Sequence, residues 1–215
     1  MFASLDTEAA PLSGLLDDCR SFVDQMVESA QRFTYRERST SPIACNWKLF
    51  VENAIECYHC PLIHSETFAK AFKVNNGEYD SHVHAHVNTQ YGQAKLVPVN
   101  LPGGREANGF QFLFLPPNSL VAIDDFAMYA LRVVPTGPTT CEVIADMYVD
   151  EAMPADALEE WVSTYYTRTI AEDVEAVERQ QVGFTSGAVP HGRLLPRSEN
   201  AIDFFEAWIR SRTYL

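Results

Sequence analysis

The middle of the chain, Tyr79 to Tyr148, constrains the fold more than any other part of the sequence. It is rich in Val, Ile, Thr, Tyr and Phe, and turn-forming residues interrupt it at Pro102-Gly103-Gly104, Pro116-Pro117-Asn118 and Pro135-Thr136-Gly137-Pro138. β-branched and aromatic runs separated by such short turns are typical of antiparallel strands. The segment therefore predicts four or more strands in one antiparallel sheet.

Helical spacing of apolar residues flanks this run of strands on both sides. Ser13 is expected to cap the first helix, and Pro61 is expected to end or kink the second. Helices around a run of antiparallel strands indicate an α+β domain with the helices on one face of the sheet. No repeat or linker-like stretch divides the chain, so residues 1–215 are expected to form a single domain. The four predicted helical segments are 14–38, 46–58, 154–181 and 198–210.

The charge balance narrows the class of partner. A formal net charge of -13 argues against a nucleic-acid partner and against an anionic membrane surface, because both need a basic face. No apolar run approaches the roughly 20 residues that span a bilayer, and the N-terminus lacks the pattern of a secretory signal. Five cysteines, an odd number in a chain of this size, favour free thiols and a cytoplasmic localisation.

The most informative segment is Asn46–His64, where acids and histidines gather near the end of the second predicted helix. Glu56 and His59 are three residues apart and share a helical face. His59 and His64 are five apart, which an unbroken helix would splay by about 140°. A break at Pro61 can return His64 to the same side. Because two imidazoles beside a carboxylate suit Fe, Zn or Mn, the segment predicts a divalent metal site.

Two other interpretations of this segment stay open on the residues alone. Cys57 and Cys60 form a CxxC pair that, with His59 and His64, could bind structural zinc, although the sequence has no second knuckle. Alternatively, the segment is a helix end with partly satisfied histidines and buried free cysteines as small apolar fillers.

Two alternating sets of residues in the predicted strands are further candidates for function. A strand would place His82, His84 and His86 on one face, either as a second metal site or, more commonly, as a solvated face. Phe110, Phe112 and Phe114 also share a face, and they are predicted to belong to the core rather than to a cation-binding cage.

The whole chain resembles the catalytic domain of the α subunit of Rieske-type non-haem iron oxygenases. Asn46-Trp47-Lys48, Glu52-Asn53, Glu56-Cys57-Tyr58-His59-Cys60 and His64 look like the iron-binding segment of that family. Weaker matches follow in order through Asn118, Glu172-Asp173 and Trp208. The resemblance implies a helix-grip fold, with an antiparallel sheet and helices that close a pocket. It also implies a mononuclear Fe(II) held by two histidines and one carboxylate.

The family pattern assigns roles to particular residues. His59 and His64 match the two histidine ligands of the iron. Both Glu172 and Asp173 lie on or beside the apolar stripe of the late helix, so periodicity does not decide the third ligand, whereas the family pattern favours Asp173. Glu56 matches the acid that, in the family, links the iron of one subunit to the Rieske cluster of the next subunit.

The [2Fe-2S] cluster itself has no ligands in the sequence before Asn46. That part contains Cys19 and Cys45 and no histidine, whereas a Rieske cluster needs two cysteines and two histidines. Met1–Asp6 resembles the strand that follows the Rieske domain. The chain is therefore expected to be a catalytic domain alone. Either the electron-donating domain lies on another polypeptide, or the chain is a fragment, or the oxygenase activity has been lost. With activity, electrons would come from NAD(P)H through a reductase and a Rieske-containing protein or domain, in a homotrimer or a hetero-oligomer.

The resemblance also bears on the reaction. The family uses O₂ on small organic substrates, as monooxygenases or as dioxygenases, including those of aromatic hydrocarbon catabolism. Asn53 lies one residue closer to His59 than in the ring-hydroxylating dioxygenases, so no role is carried onto it. The Glu56–Cys60 sequence looks more like the branch that attacks quaternary ammonium compounds and N-methyl groups. An inactive ligand-binding module and a structural subunit of an oxygenase assembly are the alternatives.

Overall fold

The computed structural model describes residues 7–9, 11–75, 78–97, 100–188 and 192–213. The resemblance noted for Met1–Asp6 lies outside the described residues. The helices are α1 (Leu12–Leu15), α2 (Arg20–Ala30), α3 (Trp47–Ala54), α4 (Cys60–Ile63), α5 (Phe68–Ala71), α6 (Ala155–Trp161), α7 (Arg168–Thr185) and α8 (Asn200–Thr213). A π-helical segment, Val162–Thr167, joins α6 to α7, and short 3₁₀ turns cover Asp17–Cys19 and Pro102–Gly104.

The strands form one seven-stranded antiparallel sheet in the order β1-β7-β6-β5-β4-β3-β2. From β2 to β7 each strand pairs with the next along the chain, and β1 closes the far edge beside β7. The predicted α+β class and the antiparallel meander are confirmed. The strands are β1 (Thr34–Ile43), β2 (Tyr79–Val83), β3 (Asn88–Gly92), β4 (Phe110–Leu115), β5 (Ser119–Ile123), β6 (Ala127–Gly137) and β7 (Thr140–Val149).

Alternation along the strands puts one face of the sheet against the helices. In β7 every second residue from Cys141 to Val149 is buried, as expected where successive side chains point to opposite faces. Part of the core under this face joins Phe114 and Val133 of the sheet to Val51 of α3 and Phe205 of α8. Because α3 also packs against α7, two helices distant in sequence meet over the sheet.

The predicted helix over residues 14–38 is wrong in its second half. Helix α2 ends at Ala30, and residues from Thr34 onwards form β1, which pairs with β7 from Thr34↔Val149 to Ile43↔Cys141. Backbone pairing with a long neighbouring strand overrides the local helical pattern there. Ser13 does not cap this helix, because it lies inside α1, whose N-cap position is Pro11.

The second predicted helix is shorter than its apolar pattern indicates. It begins after Asn46, whose side chain accepts a hydrogen bond from the Lys48 backbone N–H at 3.0 Å, and it ends at Ala54. Pro61 therefore does not end it. Pro61 lies in the first turn of α4, where a missing N–H donor costs no helical hydrogen bond.

Two further predicted helices agree with α6–α7 and with α8. In the described part of the chain, no helix is both long and apolar enough to span a bilayer.

Candidate metal centre

Three side chains from two parts of the sequence meet at one point. His59 directly precedes α4, His64 directly follows it, and Asp173 lies on α7. The Nε2 atoms of the two histidines are 3.1 Å apart. Asp173 Oδ1 lies 3.0 Å from His64 Nε2 and 3.3 Å from His59 Nε2. Helix α4 returns His64 to the side of His59, which is the effect predicted for a break at Pro61.

The spacing of these three donor atoms fits one octahedral metal ion. Ligands about 2.1 Å from a metal and 90° apart are separated by about 3.0 Å, which matches the three distances within a few tenths of an ångström. Two nitrogens and one carboxylate oxygen on one face leave the opposite positions open, and this donor set suits non-haem Fe(II).

A second carboxylate orients each histidine. His64 Nδ1 donates to Glu172 Oε2 at 2.9 Å, and His59 Nδ1 donates to Glu56 Oε1. When a metal ion takes the place of the proton on Nε2, the proton that remains on Nδ1 leaves each Nε2 lone pair directed at the point between the three donors. Thr67 Oγ1 also donates to Glu172, at 2.5 Å. Asp173 is therefore the acid in the donor set, and Glu172 is the acid behind His64.

Asn53 holds Asp173 from α3. Its Nδ2 donates to Asp173 Oδ1 at 2.7 Å, and its side chain is buried. The sequence carried no role onto Asn53 and did not single out Thr67. The signal for Asn53 in the sequence was its place in the Glu52-Asn53 pair of the family pattern.

The charges of the cluster favour a bound cation. Burial lowers the pKa of His59, but the hydrogen bonds and charges of Asp173 and Glu56 outweigh it and raise that pKa to about 9. Burial raises the pKa of Asp173, and the two histidines more than reverse this, so its pKa falls to about 2. Asp173 is thus ionised at neutral pH and supplies negative charge at the donor point.

The cysteines beside His59 are joined to each other. Cys57 and Cys60 form a disulfide, so the expectation of free thiols here is wrong, and the interpretation as a four-ligand zinc site fails because a disulfide sulfur is not a thiolate. Three cysteines are free and buried, and these are Cys19, Cys45 and Cys141.

The alternating histidines do not share a strand face. His82 lies on β2, but the strand ends at Val83, and His84 and His86 lie in the turn that leads to β3. His84 Nε2 is 2.9 Å from Thr89 Oγ1, a local hydrogen bond that accounts for this ring. The second metal site is therefore absent from this turn.

A cavity of about 150 Å³ opens beside the three donor atoms. Its walls are mostly apolar and include eight Phe and Tyr side chains. Among its described lining residues there is no Lys or Arg, whereas Asp124 and Glu56 join Asp173 there. Phe110 and Phe112 line it. Phe110 and Phe114 are buried in the core as predicted, and Phe112 is half-buried. The other aromatic lining residues are Phe50, Phe68, Phe72, Tyr129, Tyr165 and Tyr166.

Removing the groups behind the donors is expected to weaken metal binding without abolishing it. Asn53→Ala and Glu172→Gln should each lower the affinity for Fe(II) or Co²⁺ by about 10–100-fold, because each loosens the orientation of one ligand. Anaerobic metal titration by calorimetry measures this. Glu175→Gln, an exposed change on α7 that touches only Arg179, is the control. Affinities within twofold of the wild type would show that these contacts do not support the donors.

The fold and the donor set together define a class of protein. The sequence profile described as ring hydroxylating alpha subunit (catalytic domain) matches residues 30–214, and the chain belongs to this family. Its relatives include the chloroplastic choline monooxygenase of Spinacia oleracea, 28% identical over 183 residues, and that of Beta vulgaris, 29% identical over 189 residues. These matches cover 80% and 83% of this chain but only 39% of each relative.

Solved structures share the fold. The quaternary ammonium Rieske monooxygenase CntA superposes with a TM-score of 0.78 at 22% identity, over 97% of this chain and 57% of that one. Naphthalene 1,2-dioxygenase from Rhodococcus sp. superposes with a TM-score of 0.62 at 17% identity, over 84% of this chain and 51% of that one. The implied helix-grip architecture is therefore confirmed as that of a Rieske oxygenase catalytic domain.

Proposed function

We propose that this chain is the iron-bearing catalytic domain of a monooxygenase that hydroxylates or N-demethylates a small quaternary ammonium or N-methyl compound. His59, His64 and Asp173 hold one Fe(II), with Asp173 rather than Glu172 as the third ligand. One observation carries the proposal: three donor atoms approach one another to 3.0–3.3 Å at the wall of a cavity lined by eight Phe and Tyr side chains.

The cavity supports a cationic substrate. Aromatic faces attract ammonium groups, most strongly where water is excluded. The acids Asp124 and Glu56 add negative charge, and the described lining supplies no cation to pair with a substrate carboxylate. A cavity of about 150 Å³ is the size that accommodates a ring such as benzene, so a trimethylammonium group with a short tail fits.

The relatives point to the same class of substrate. The curated relatives are choline monooxygenases, and solved structures of CntA contain L-carnitine or gamma-butyrobetaine as substrate. The dioxygenase superposes less well, so dioxygenation and aromatic hydrocarbon catabolism have weaker support than attack on an ammonium compound.

Bound Fe(II) would supply the activation of O₂. The chain's own residues orient the ligands through Glu56, Glu172 and Asn53, and the aromatic walls hold the substrate and exclude water. The chain spans 39% of the length of its curated relatives, and its sequence lacks the ligands of a Rieske cluster. Electrons would come from a [2Fe-2S] centre and an NAD(P)H-dependent reductase that lie outside residues 1–215, reached through an oligomer such as a homotrimer.

A substitution of Glu56 can test electron delivery without removing the bound iron. Glu56→Gln keeps an oxygen that accepts the His59 Nδ1 proton, so about one iron per chain is expected to remain. NADPH-driven turnover with a Rieske protein and its reductase is expected to fall at least about 100-fold, because the negative charge that couples the two metal centres is lost.

Elemental analysis and the release of formaldehyde or hydroxylated product from trimethylammonium substrates measure the two effects. Glu66→Gln, an exposed change next to the same loop, serves as the control. Unchanged coupled turnover in Glu56→Gln would remove the proposed role of Glu56. A wild-type chain that binds ammonium compounds but no metal would favour the inactive binding module, and a chain that binds neither would favour the structural subunit.

A further inference from the structure

The geometry points to a second donor set at the metal centre, controlled by the Cys57–Cys60 disulfide. Reduction of that disulfide frees the thiolate of Cys60 to join His59 and His64 as a metal ligand, and this changes an iron site into a zinc site. The inference rests on the proposed function, because both concern the same metal centre.

The Cys60 sulfur already lies close to the position of a ligand. Its Sγ is 3.9 Å from His59 Nε2, and one ligand atom from each of His59, Cys60 and His64 lies within 4.8 Å of the others. A tetrahedral zinc ion about 2.3 Å from sulfur and about 2.1 Å from nitrogen separates those two atoms by about 3.6 Å. The sulfur therefore needs to move by a few tenths of an ångström relative to His59 and by up to about 1.2 Å relative to His64.

The two cysteines are not equivalent in this respect. Cys60 begins α4 and directly follows His59, whereas Cys57 precedes His59 by two residues and is not part of that ligand group. Both side chains are buried, and both line the cavity that contains the donor atoms. A small dithiol that enters the cavity can therefore reach the disulfide.

The redox step is an ordinary thiol–disulfide exchange with a dithiol as the reductant. One thiolate of the reductant attacks a disulfide sulfur, and its second thiol then closes the reductant's own disulfide. Two electrons and two protons pass to the protein, which leaves thiols at Cys57 and Cys60. When a metal binds, the Cys60 thiol releases its proton to solvent and forms the sulfur–metal bond.

The change of donor changes the preferred metal. His59, His64 and Asp173 give a nitrogen and oxygen set with open positions, which suits Fe(II). A soft thiolate favours zinc, and a fourth protein ligand closes a tetrahedral site. In the oxidised form the disulfide thus keeps a competing ligand away from the iron position.

Two single variants prevent the disulfide from forming, so each has one free thiol at a known position without any reductant. Cys57→Ala leaves a permanent thiol at Cys60, and Cys60→Ala leaves one at Cys57. Added Co²⁺ alone is the probe, because a thiolate ligand gives a near-ultraviolet sulfur-to-cobalt charge-transfer band that nitrogen and oxygen ligands do not give. Thiol counts on the unfolded protein fix the redox state.

Oxidised wild type is expected to bind Co²⁺ without the band, whereas dithiothreitol-reduced wild type and Cys57→Ala show it. Cys60→Ala is expected to bind Co²⁺ without the band, with or without reductant. In metal competition, the preference for Zn²⁺ over Fe(II) should rise about tenfold or more in the two forms with a Cys60 thiol.

Three results decide against parts of this scheme. Cobalt binding without the band in Cys57→Ala overturns the thiolate donor and leaves the proposed iron site standing. Five reactive thiols, rather than the three of Cys19, Cys45 and Cys141, in wild type isolated without reductant overturn the disulfide control. Oxidised wild type that binds no Co²⁺ overturns the proposed function itself.

Discussion

His59→Ala is expected to reduce the metal content of the protein from about one ion per chain to none. Removing one of three ligands leaves two donors and an open coordination sphere, which cannot hold a divalent ion against water at micromolar concentrations. Elemental analysis after anaerobic purification and reconstitution with Fe(II) measures the loss.

The matched control is His82→Ala. His82 is an exposed histidine on β2 and is not among the donors, so this variant should keep the metal content of the wild type. Both variants should give the circular dichroism spectrum of a folded chain. Full metal occupancy in His59→Ala would show that the ligand assignment is wrong, and loss of metal in both variants would show that the ion is not bound at this site.

The local parts of the site were predictable from the sequence, because His59 and His64 lie on one short segment. For the third donor, the family pattern favoured Asp173, but periodicity did not. The predicted stripe on the late helix assumes an uninterrupted period of 3.6 residues, but the π-helical segment Val162–Thr167 interrupts this period before Asp173 is reached. Residues after the segment are rotated relative to the stripe, so periodicity cannot choose between Glu172 and Asp173.

The fold shows the same division between local and long-range information. Three of the five turns between β2 and β7 carry the Pro and Gly residues that marked them in the sequence, and the antiparallel run was predicted. The turns between β2 and β3 and between β5 and β6 were missed, because each lies inside a segment that was predicted as one strand. Strand β1 was missed because most of its side chains are exposed and polar, so it lacks the alternation of a half-buried strand. Its pairing with β7, more than 100 residues away, creates the strand.

The disulfide was also beyond the reach of the sequence. A CxxC spacing is compatible with free thiols, metal ligands or a disulfide, and only the backbone around His59 selects among them. The resemblance implied a pocket but not which side chains line it, because Phe110 and Phe112 carry the same alternating pattern as the core residue Phe114.

Trp161→Ala is expected to lower the free energy of unfolding by about 5 kcal/mol, the largest stability effect expected of a single change to a core side chain. Trp161 is buried at the end of α6, and its ring stacks on Phe126 with centroids 4.1 Å apart. Emptying a buried tryptophan site costs about 3–5 kcal/mol. The indole Nε1 also donates to Asp124 Oδ2 at 2.9 Å, and losing a hydrogen bond to a buried carboxylate adds about 1–3 kcal/mol.

Urea unfolding followed by circular dichroism measures this effect. Trp208→Ala is the control, because Trp208 is only half-buried on α8 and stacks on the exposed Arg212, so a loss near 1 kcal/mol is expected. A Trp161→Ala protein within about 1 kcal/mol of the wild type would contradict the view that this cluster stabilises the fold.

The stability of Trp161→Phe at two pH values distinguishes the loss of packing from the loss of the hydrogen bond to Asp124. Burial raises the pKa of Asp124 to about 6, and the Trp161 hydrogen bond opposes that rise by favouring the ionised form. The folded pKa lies above the unfolded value, so stability from Asp124 is fully present below about pH 4 and is lost as the pH rises through 6. Without the indole the pKa should rise further, and the loss of stability in Trp161→Phe should be larger at pH 7 than at pH 4. Equal losses at both pH values would assign the role of Trp161 to packing alone.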